Sequence, residues 1–339
     1  MEETLVSIEE IRAAVARILH IAIKTPLLRA PFPSLSGHGT GREIYLKAES
    51  LQPIGAFKIR GAANKILQLS AEEIARGVIT YSSGNHAQGV AYAAREVGAK
   101  AVIVMPSNAP AIKRAATLAM GAEVVDVGVA SSERLAKSDD LVRAHGYIVI
   151  PPYDDRQIIA GQATCGLEIV EELPDVDLVL APVSGGGLLS GVATGVKLLC
   201  EAESRIAPQV WGCEPEVSAD AKESFYSKIL VEWPAAKTTR TLADGLRTQA
   251  LGERNFTHIL RFVDGIVTVT EDEIRKALRI ILEATNLIAE PSGAVTLAAA
   301  LFHADELPRA EKIVAILSGG NLDPALKAEL VAEGAASRV

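Results

Sequence analysis

The chain contains 339 residues, of which 49% are apolar, and it carries a formal net charge of −8. This apolar fraction is enough for a full core, so wholesale disorder is excluded, and the length suggests two domains. The acidic balance argues against a nucleic-acid partner, because binding to phosphates needs a basic surface.

The sequence carries no sign of export or of a membrane partner. No run of 18 apolar residues occurs, and the first residues, Met-Glu-Glu-Thr, are acidic where a signal peptide is basic. Cys165, Cys200 and Cys213 are too far apart for a zinc knuckle, and their odd number argues against a disulfide framework. We therefore expect a cytoplasmic protein.

Apolar, β-branched runs alternate with helical patterns along most of the chain. A capping box at Ser7 and Glu10 predicts the start of a first helix. The predicted strands are Glu43–Lys47, Val78–Tyr81, Ala101–Met105, Glu123–Val127, Tyr147–Ile150, Val176–Val183, Gln209–Cys213, Gly265–Thr270 and Lys312–Leu317. Helical patterns separate them, for example Ala87–Val97, Ala111–Met120, Ser132–Ala144, Glu168–Glu172 and Glu271–Thr285. Such strands, apolar on both faces, indicate an α/β fold with mostly parallel sheets covered by helices.

The middle of the chain predicts a small domain. Gly121 and Gly146 each end a helix just before a strand. Successive βα units between about Val78 and Ile150 are expected to form a compact unit, residues 71–148. Residues 1–70 and 149–339 are then expected to build a second sheet in a large domain.

A glycine-rich turn follows the strand Val176–Val183. It reads Ser184-Gly-Gly-Gly-Leu188 and opens a helix that runs to about Glu201. Three glycines expose backbone N–H groups at a helix N-terminus, where an anion such as a phosphate binds well. The pattern is neither a Walker loop nor a dinucleotide loop, since Ser190 stands where the third glycine would fall. The alternative is a tight turn that lets strand and helix pack closely.

A second strand-to-helix junction lies between Thr80 and Gly89. It contains Ser82, Ser83, Asn85 and His86. Hydroxyls and an amide at a helix start suit a carboxylate or a phosphate. The alternative is an ordinary helix cap with polar residues in the first turn.

A lysine in an apolar setting is a candidate nucleophile. Lys58 is flanked by Phe57 and Ile59, and apolar surroundings lower the pKa of an amine. The alternative is a lysine that extends to solvent from an amphipathic helix. A fourth motif, Ile316–Asn321, ends another strand, and strand ends of parallel sheets face one crevice.

In their joint order these motifs resemble the fold-type II pyridoxal-phosphate enzymes, in the branch of serine racemase, serine/threonine dehydratases and hydroxyaspartate ammonia-lyase. The match extends from Thr25 to Leu322. The resemblance implies a tryptophan-synthase-β-like fold with two domains, pyridoxal 5′-phosphate as cofactor, an amino-acid substrate and a homodimer. Two departures, Ala56 in place of serine and Ser184 in place of the first glycine, remove no catalytic atom.

The resemblance also assigns residues. Lys58 would hold the cofactor covalently and act as base at the substrate Cα, and Ser83 would be a second acid or base on the opposite face. Asn85 would bind the cofactor's phenolic oxygen, and Ser318 its pyridine nitrogen. The implied cofactor-binding residues are Phe57, Lys58, Asn85, Ser184, Gly185, Gly186, Gly187, Leu188, Glu290 and Ser318. The implied substrate-binding residues are Ser82, Ser83, Asn85, His86, Arg134 and Asp244.

Arg134 decides between substrates in this interpretation. It lies near the start of the helix after Glu123–Val127, and the serine racemase group has an arginine at a similar place. If it points into the crevice, its guanidinium binds a second carboxylate and favours 3-hydroxyaspartate. The alternative is a solvated arginine beside Glu133.

The segment from Trp211 to Asp220 resembles the family's cation loop. Glu214 and Asp220 would supply carboxylate oxygens and Ser218 a backbone carbonyl, a set suited to Mg²⁺, or to Ca²⁺ or Mn²⁺. The alternative is an acidic loop in an acidic protein.

The expected activity is that of an ammonia-lyase, or dehydratase. It would convert serine, threonine or 3-hydroxyaspartate to a 2-oxo acid and ammonia, by removal of the Cα proton and loss of the β-hydroxyl. An amino-acid racemase on the same scaffold is the first alternative, and a non-catalytic sensor module is the second.

Overall fold

The computed structural model describes residues 5–31, 42–82, 84–109, 111–128 and 131–336. Its strands are β1 (Leu27–Arg29), β2 (Glu43–Lys47), β3 (Val78–Tyr81), β4 (Ala101–Pro106), β5 (Glu123–Val127), β6 (Ile148–Val149), β7 (Leu178–Pro182), β8 (Gln209–Pro215), β9 (Gly265–Val269) and β10 (Lys312–Ile316). Its helices are α1 (Ile8–Ile18), α2 (Lys58–Ile66), α3 (Ala71–Arg76), α4 (Asn85–Glu96), α5 (Ala111–Ala119), α6 (Ser131–His145), α7 (Arg156–Glu172), α8 (Gly187–Ala202), α9 (Asp220–Ser227), α10 (Ala235–Thr238), α11 (Glu253–Phe262), α12 (Glu271–Ala284), α13 (Pro291–Phe302) and α14 (Pro324–Ala336).

The strands form two sheets. The larger has the order β1-β2-β10-β7-β8-β9, and the smaller has the order β5-β4-β3-β6. All the strand pairs are parallel except β1 with β2, where Leu28 lies opposite Leu46. The predicted α/β class is confirmed, whereas the three-residue β1 is too short to have been seen in the sequence pattern. The domain boundaries at residues 70 and 149 stay a prediction.

Helices cover both faces of the larger sheet. One buried cluster joins the sheet to α7 and α8 through residues such as Ile159, Val192 and Val314. The other joins its opposite face to α12 and α13, with Leu278 and Val295. Because both faces are dry, the strands carry the continuous apolar runs that predicted a parallel sheet.

Local signals in the sequence place several helix ends correctly. Ser7 caps α1 and exchanges hydrogen bonds with Glu10, as the capping box predicts. Gly121 and Gly146 have φ of +87° and +71°, the left-handed conformation that favours glycine after a helix.

The helix α7 is longer than the predicted Glu168–Glu172. Its glycines weaken the helical pattern in the sequence, so the earlier part of the helix was not predicted. Gly161 packs against α2, where a Cβ would lie 2.6 Å from Gly61 Cα, and Gly166 packs against α8, where a Cβ would lie 2.5 Å from Val192 O. Glycines lower helix propensity, but here they allow close approach of three helices. This contact fixes α2 and α8, which begin at the lysine and at the glycine turn.

We expect Gly161→Ala to lower the free energy of unfolding by about 1–3 kcal/mol, since the added methyl overpacks a rigid backbone contact. Gly334→Ala in α14 is the control, because there a Cβ would meet chiefly the movable Glu283 carboxylate. Chemical denaturation of both variants measures the difference. Equal stability of the two would contradict the close-packing explanation.

Candidate active site

Lys58 begins α2, and its side chain is partly buried. Its Nζ donates a hydrogen bond of 2.6 Å to the Pro152 carbonyl and lies 5.2 Å from the centre of the Phe57 ring. Burial lowers the pKa of this amine to about 8. Lys58 is therefore not a solvated surface lysine but an amine that is partly neutral near physiological pH, as a nucleophile or base requires.

Two backbone carbonyls of the segment after β6 form hydrogen bonds with Lys58 and His86. The His86 ring lies 3.0 Å from the Ile150 carbonyl, two residues before Pro152. Burial and the neighbouring Lys58 lower the pKa of His86 to about 3, so the ring is neutral. The Nε2 position then donates to the carbonyl, which leaves only an acceptor nitrogen for a substrate. Its predicted part in substrate binding stays a prediction, and its observed contact supports the backbone that holds Lys58.

Asn85 joins the turns after β3 and β10 to the start of α13. Its Nδ2 donates to Glu290 Oε1 at 2.6 Å, and its Oδ1 accepts from Asn321 Nδ2 at 2.8 Å. The Ser318 carbonyl accepts from the Phe57 N–H at 3.0 Å, which ties the last strand to the lysine motif. Three of the four motifs, those that contain Phe57, Asn85 and Asn321, therefore meet in one place.

Glu290 is a buried carboxyl in this cluster. Its Oε2 has no hydrogen-bond partner within the described ranges. Burial raises the pKa of Glu290 to about 7, against the opposing charge of Lys113. It therefore titrates near neutral pH, close to the residues predicted to bind the cofactor.

The turn from Ser184 to Leu188 fits an anion. None of its backbone N–H groups has an acceptor among the residues that the structure describes. Gly186 has φ of +92°, and Cβ atoms at Gly185 and Gly187 would lie 2.6 and 2.9 Å from atoms of Tyr153. Open N–H groups at the start of α8, in a turn that only glycine can form, match a phosphate group.

Lys113 is a site residue that the sequence did not reveal. Its Nζ lies 2.5 Å from Asp244 Oδ2, and both side chains line a cavity of about 380 Å³ with Pro291 and Asn321. Although burial opposes the charged form, the Asp244 and Glu290 carboxylates raise the pKa of Lys113. The helical pattern of α5 resembled a solvated face, so no local signal marked this lysine.

Arg134 lies beside the end of β3. It is half-buried. Burial raises the pKa of Tyr81, the last residue of that strand, and the positive charge of Arg134 partly offsets this increase. Burial lowers the pKa of Arg134 itself. Ser82 Oγ accepts the Gly84 N–H at 3.3 Å in the same turn, whereas Ser83 lies outside the described residues. The roles predicted for Arg134, Ser82 and Ser83 stay predictions.

The predicted cation loop brings two buried carboxyls together. Burial and the neighbouring Asp220 raise the pKa of Glu214, and burial raises that of Asp220 to about 7. Glu214 Oε1 accepts the Lys222 N–H at 2.7 Å, whereas Asp220 Oδ2 has no partner in the described chain. No group of three or more His, Cys, Asp or Glu that could hold a metal occurs there, so backbone oxygens would have to complete a site.

A desolvated lysine amine and a glycine turn with open N–H groups, joined through Pro152 and Tyr153, together define an enzyme site that fits a phosphorylated carbonyl cofactor. Residues 18–319 match the family model described as "Pyridoxal-phosphate dependent enzyme". The chain belongs to this family. The predicted family, fold and pyridoxal-phosphate cofactor are thereby confirmed.

The relatives are enzymes of amino-acid metabolism. The chain is 39% identical to the L-threo-3-hydroxyaspartate ammonia-lyase of Saccharomyces cerevisiae, over 93% of each chain. It is 40% identical to the catabolic L-threonine dehydratase TdcB of Escherichia coli, over 94% of each. The crystal structure of serine racemase from Dictyostelium discoideum matches with a TM-score of 0.85 and 37% identity, covering 94% of this chain and 99% of that one. No helix of the described ranges is long and apolar enough to cross a membrane.

We expect the cofactor-free protein to form its covalent bond with pyridoxal phosphate faster as the pH rises. The rate should level off above about pH 8, where Lys58 loses its proton. An ordinary lysine, with a pKa of about 10.4, would place this midpoint more than two units higher. Rapid-mixing absorbance between pH 6.5 and 9.5 measures the rate. Lys58→Ala should give no covalent absorption band, and Lys276→Ala, an exposed lysine of α12, should keep the parent profile. A midpoint near 10 in the parent would contradict the lowered pKa.

Proposed function

We propose that the protein is a pyridoxal-phosphate-dependent ammonia-lyase that converts a 3-hydroxy amino acid to a 2-oxo acid and ammonia. Serine, threonine and 3-hydroxyaspartate are the candidate substrates, and 3-hydroxyaspartate is preferred. The observation that carries the reaction is the desolvated Lys58 amine, which is hydrogen-bonded to Pro152, next to the Tyr153 that packs against Gly185 and Gly187 of the Ser184–Leu188 turn. The observation that carries the preference is the half-buried position of Arg134 beside Tyr81.

When bound, the cofactor withdraws electrons from the substrate Cα and makes its proton acidic. Lys58 would hold the cofactor, and its Nζ would accept this proton. The Cβ–O bond would then break, the hydroxyl would leave as water with a proton that balances the one taken up by Lys58, and the enamine product would become an imine by moving a proton from nitrogen to carbon. Hydrolysis of the imine consumes one water and gives the 2-oxo acid and ammonia, so the net reaction needs no oxidant.

Ser318 favours this outcome over transamination. It is buried at the end of β10, where the resemblance places the pyridine nitrogen. A hydroxyl cannot hold a proton on that nitrogen as a carboxylate does, so a cofactor held there would be a weaker electron sink, which would favour loss of the β-substituent over transamination.

The α-carboxylate of the substrate binds at the start of α4, near Ser82 and Asn85, and Ser83 keeps its predicted part in this binding. Asp244 borders the β-substituent and is itself held by Lys113. Arg134 binds the second carboxylate of 3-hydroxyaspartate, which the net charge of −8 would otherwise disfavour.

Arg134→Ala should lower kcat/KM for 3-hydroxyaspartate by about 100-fold, through loss of a charge-assisted pair, with a much smaller effect on threonine. Arg143→Ala is the matched control, since Arg143 lies on the same helix, is exposed and pairs with Asp140. Ammonia and 2-oxo acid are measured for serine, threonine and 3-hydroxyaspartate isomers. No ammonia from any of them would refute the proposed activity, and equal losses on both substrates would refute the role of Arg134.

Racemisation is the second candidate, because a serine racemase is among the structural relatives. It requires a second acid on the face opposite Lys58, the part predicted for Ser83. Chiral analysis of the amino acid that remains in the same assay distinguishes it from elimination.

A divalent cation, Mg²⁺ or else Ca²⁺ or Mn²⁺, is proposed at Glu214, Asp220 and the Ser218 carbonyl. The support is the buried Asp220 oxygen without a partner, next to a second buried carboxyl. Two carboxylates at close range inside a protein are costly unless a cation binds them. The cation would stabilise the fold around β8 and α9 and take no part in proton transfer.

Addition of Mg²⁺ should raise the Tm of the parent protein by several degrees, because a ligand of the folded state stabilises it by mass action. Asp220→Asn and Glu214→Gln should abolish the increase. Glu216→Gln, an exposed carboxylate of the same loop, should retain it. A Tm that does not respond to Mg²⁺, Ca²⁺, Mn²⁺ or a chelator would refute the site.

A cytoplasmic homodimer is the proposed state of the protein. The three cysteines are buried free thiols, as expected in a reducing compartment. Val15, in the last turn of α1, and Leu19, the residue just after that helix, are 39% and 66% exposed, which suits a surface that a second copy covers.

A further inference from the structure

We propose that Asn255, in the first turn of α11, is a positioning residue for the cofactor phosphate. It fixes the peptide between Gly185 and Gly186 so that the Gly186 N–H is directed to the anion. The inference rests on the proposed phosphate site at Ser184–Leu188.

Asn255 is fully buried and contacts the phosphate turn from the side of α11. Its Nδ2 donates to the Gly185 carbonyl at 2.7 Å, and the Gly252 N–H donates to the same oxygen at 3.0 Å. Its Oδ1 accepts from Ser190 Oγ in the first turn of α8 at 3.0 Å. Asp154 Oδ1 accepts the backbone N–H of Asn255 at 3.3 Å and so holds the residue in place.

The direction of one carbonyl fixes the direction of the next N–H group. The peptide between Gly185 and Gly186 is trans, so its C=O and N–H point to opposite sides. With the oxygen bonded to α11, the Gly186 N–H points away from α11, and no acceptor for it exists in the described part of the chain. Asn255 therefore determines which side of this peptide faces a ligand.

Glycine makes such a restraint necessary. Gly186 has φ of +92°, and a Cβ there would lie 2.9 Å from Asn255 Cβ, so no other residue fits. Without a Cβ, a glycine pair can rotate its peptide at small steric cost, and a flipped peptide would present a carbonyl oxygen to the phosphate. The side-chain amide opposes this rotation.

A purely structural role would not require an amide. Leucine has the same branching and the same number of side-chain heavy atoms, and the neighbours of Gly186 include Leu251 and Ile259. In Asn255→Leu the Gly185 carbonyl would keep the Gly252 N–H, and Ser190 Oγ would keep its 3.2 Å bond to the Gly187 carbonyl. The variant therefore leaves no buried polar group without a partner and is expected to fold.

The test compares the affinity of the cofactor-free protein for pyridoxal phosphate and for pyridoxal, which lacks the phosphate. Asn255→Leu should weaken the binding of pyridoxal phosphate about tenfold or more, with a change of less than about twofold for pyridoxal. Ser190→Ala is the matched control. It removes the hydrogen bond from Ser190 Oγ to Asn255 Oδ1 and keeps the hydrogen bond from Asn255 Nδ2 to the Gly185 carbonyl. Its preference for the phosphorylated ligand should equal that of the parent.

Equal losses for the two ligands, or no loss for either, would overturn the role of Asn255 and leave the phosphate site standing. A parent protein that binds both ligands equally would instead refute the phosphate site, and with it the role of Asn255. If Asn255→Leu does not fold, as judged by its Tm without cofactor, Asn255→Ser gives the same comparison with a side chain too short to reach Gly185.

Discussion

Arg60, buried two residues after Lys58, holds the helix on which the site depends. Its guanidinium bonds to Glu49 at 2.7 and 2.8 Å and to Glu168 at 2.6 and 2.8 Å, and Lys47 pairs with Glu168 at 2.7 Å. The cluster joins α2 to the end of β2 and to α7. Buried ion pairs add little net stability, because desolvation offsets their attraction, so the benefit is a defined position. The forked geometry of arginine fixes α2 in direction as well as in place.

With α2 fixed in position, desolvation determines the pKa values of the ionisable groups around Lys58. The same burial lowers the pKa of Lys58 and His86 and raises that of Glu290. Each of these shifts favours the neutral form. At the proposed phosphate turn, an anionic cofactor would meet the open backbone N–H dipoles of Ser184–Leu188. Such dipoles require no counter-ion, but they must be held in direction, which is why side chains around the turn matter.

The sequence predicted those parts of the site whose signals are local. Lys58, Asn85 and the Ser184–Leu188 turn each follow a strand or open a helix, and glycine spacing marks the turn. Lys113 and Asn255 gave no such signal, because their importance comes from partners more than 60 residues away in the chain. The earlier part of α7 was missed for a related reason. Its glycines lower the local helix propensity, and the packing that they allow with other helices exists only in the folded protein.

The two cations proposed to lie near the substrate differ in what they could do for a second carboxylate. Lys113 is a point charge already paired with Asp244, so a substrate carboxylate would have to compete with a partner at 2.5 Å. Arg134 lies within electrostatic range of Tyr81, and its planar guanidinium carries five N–H donors, enough for more than one partner. It also remains charged at neutral pH despite its burial. If both cations lie at the substrate as proposed, a dicarboxylic hydroxy amino acid would gain more from Arg134 than from Lys113, whereas serine and threonine would gain from neither. The proposed substrate choice would then depend on one helix, α6, while the proposed chemistry depends on α2 and the strand ends.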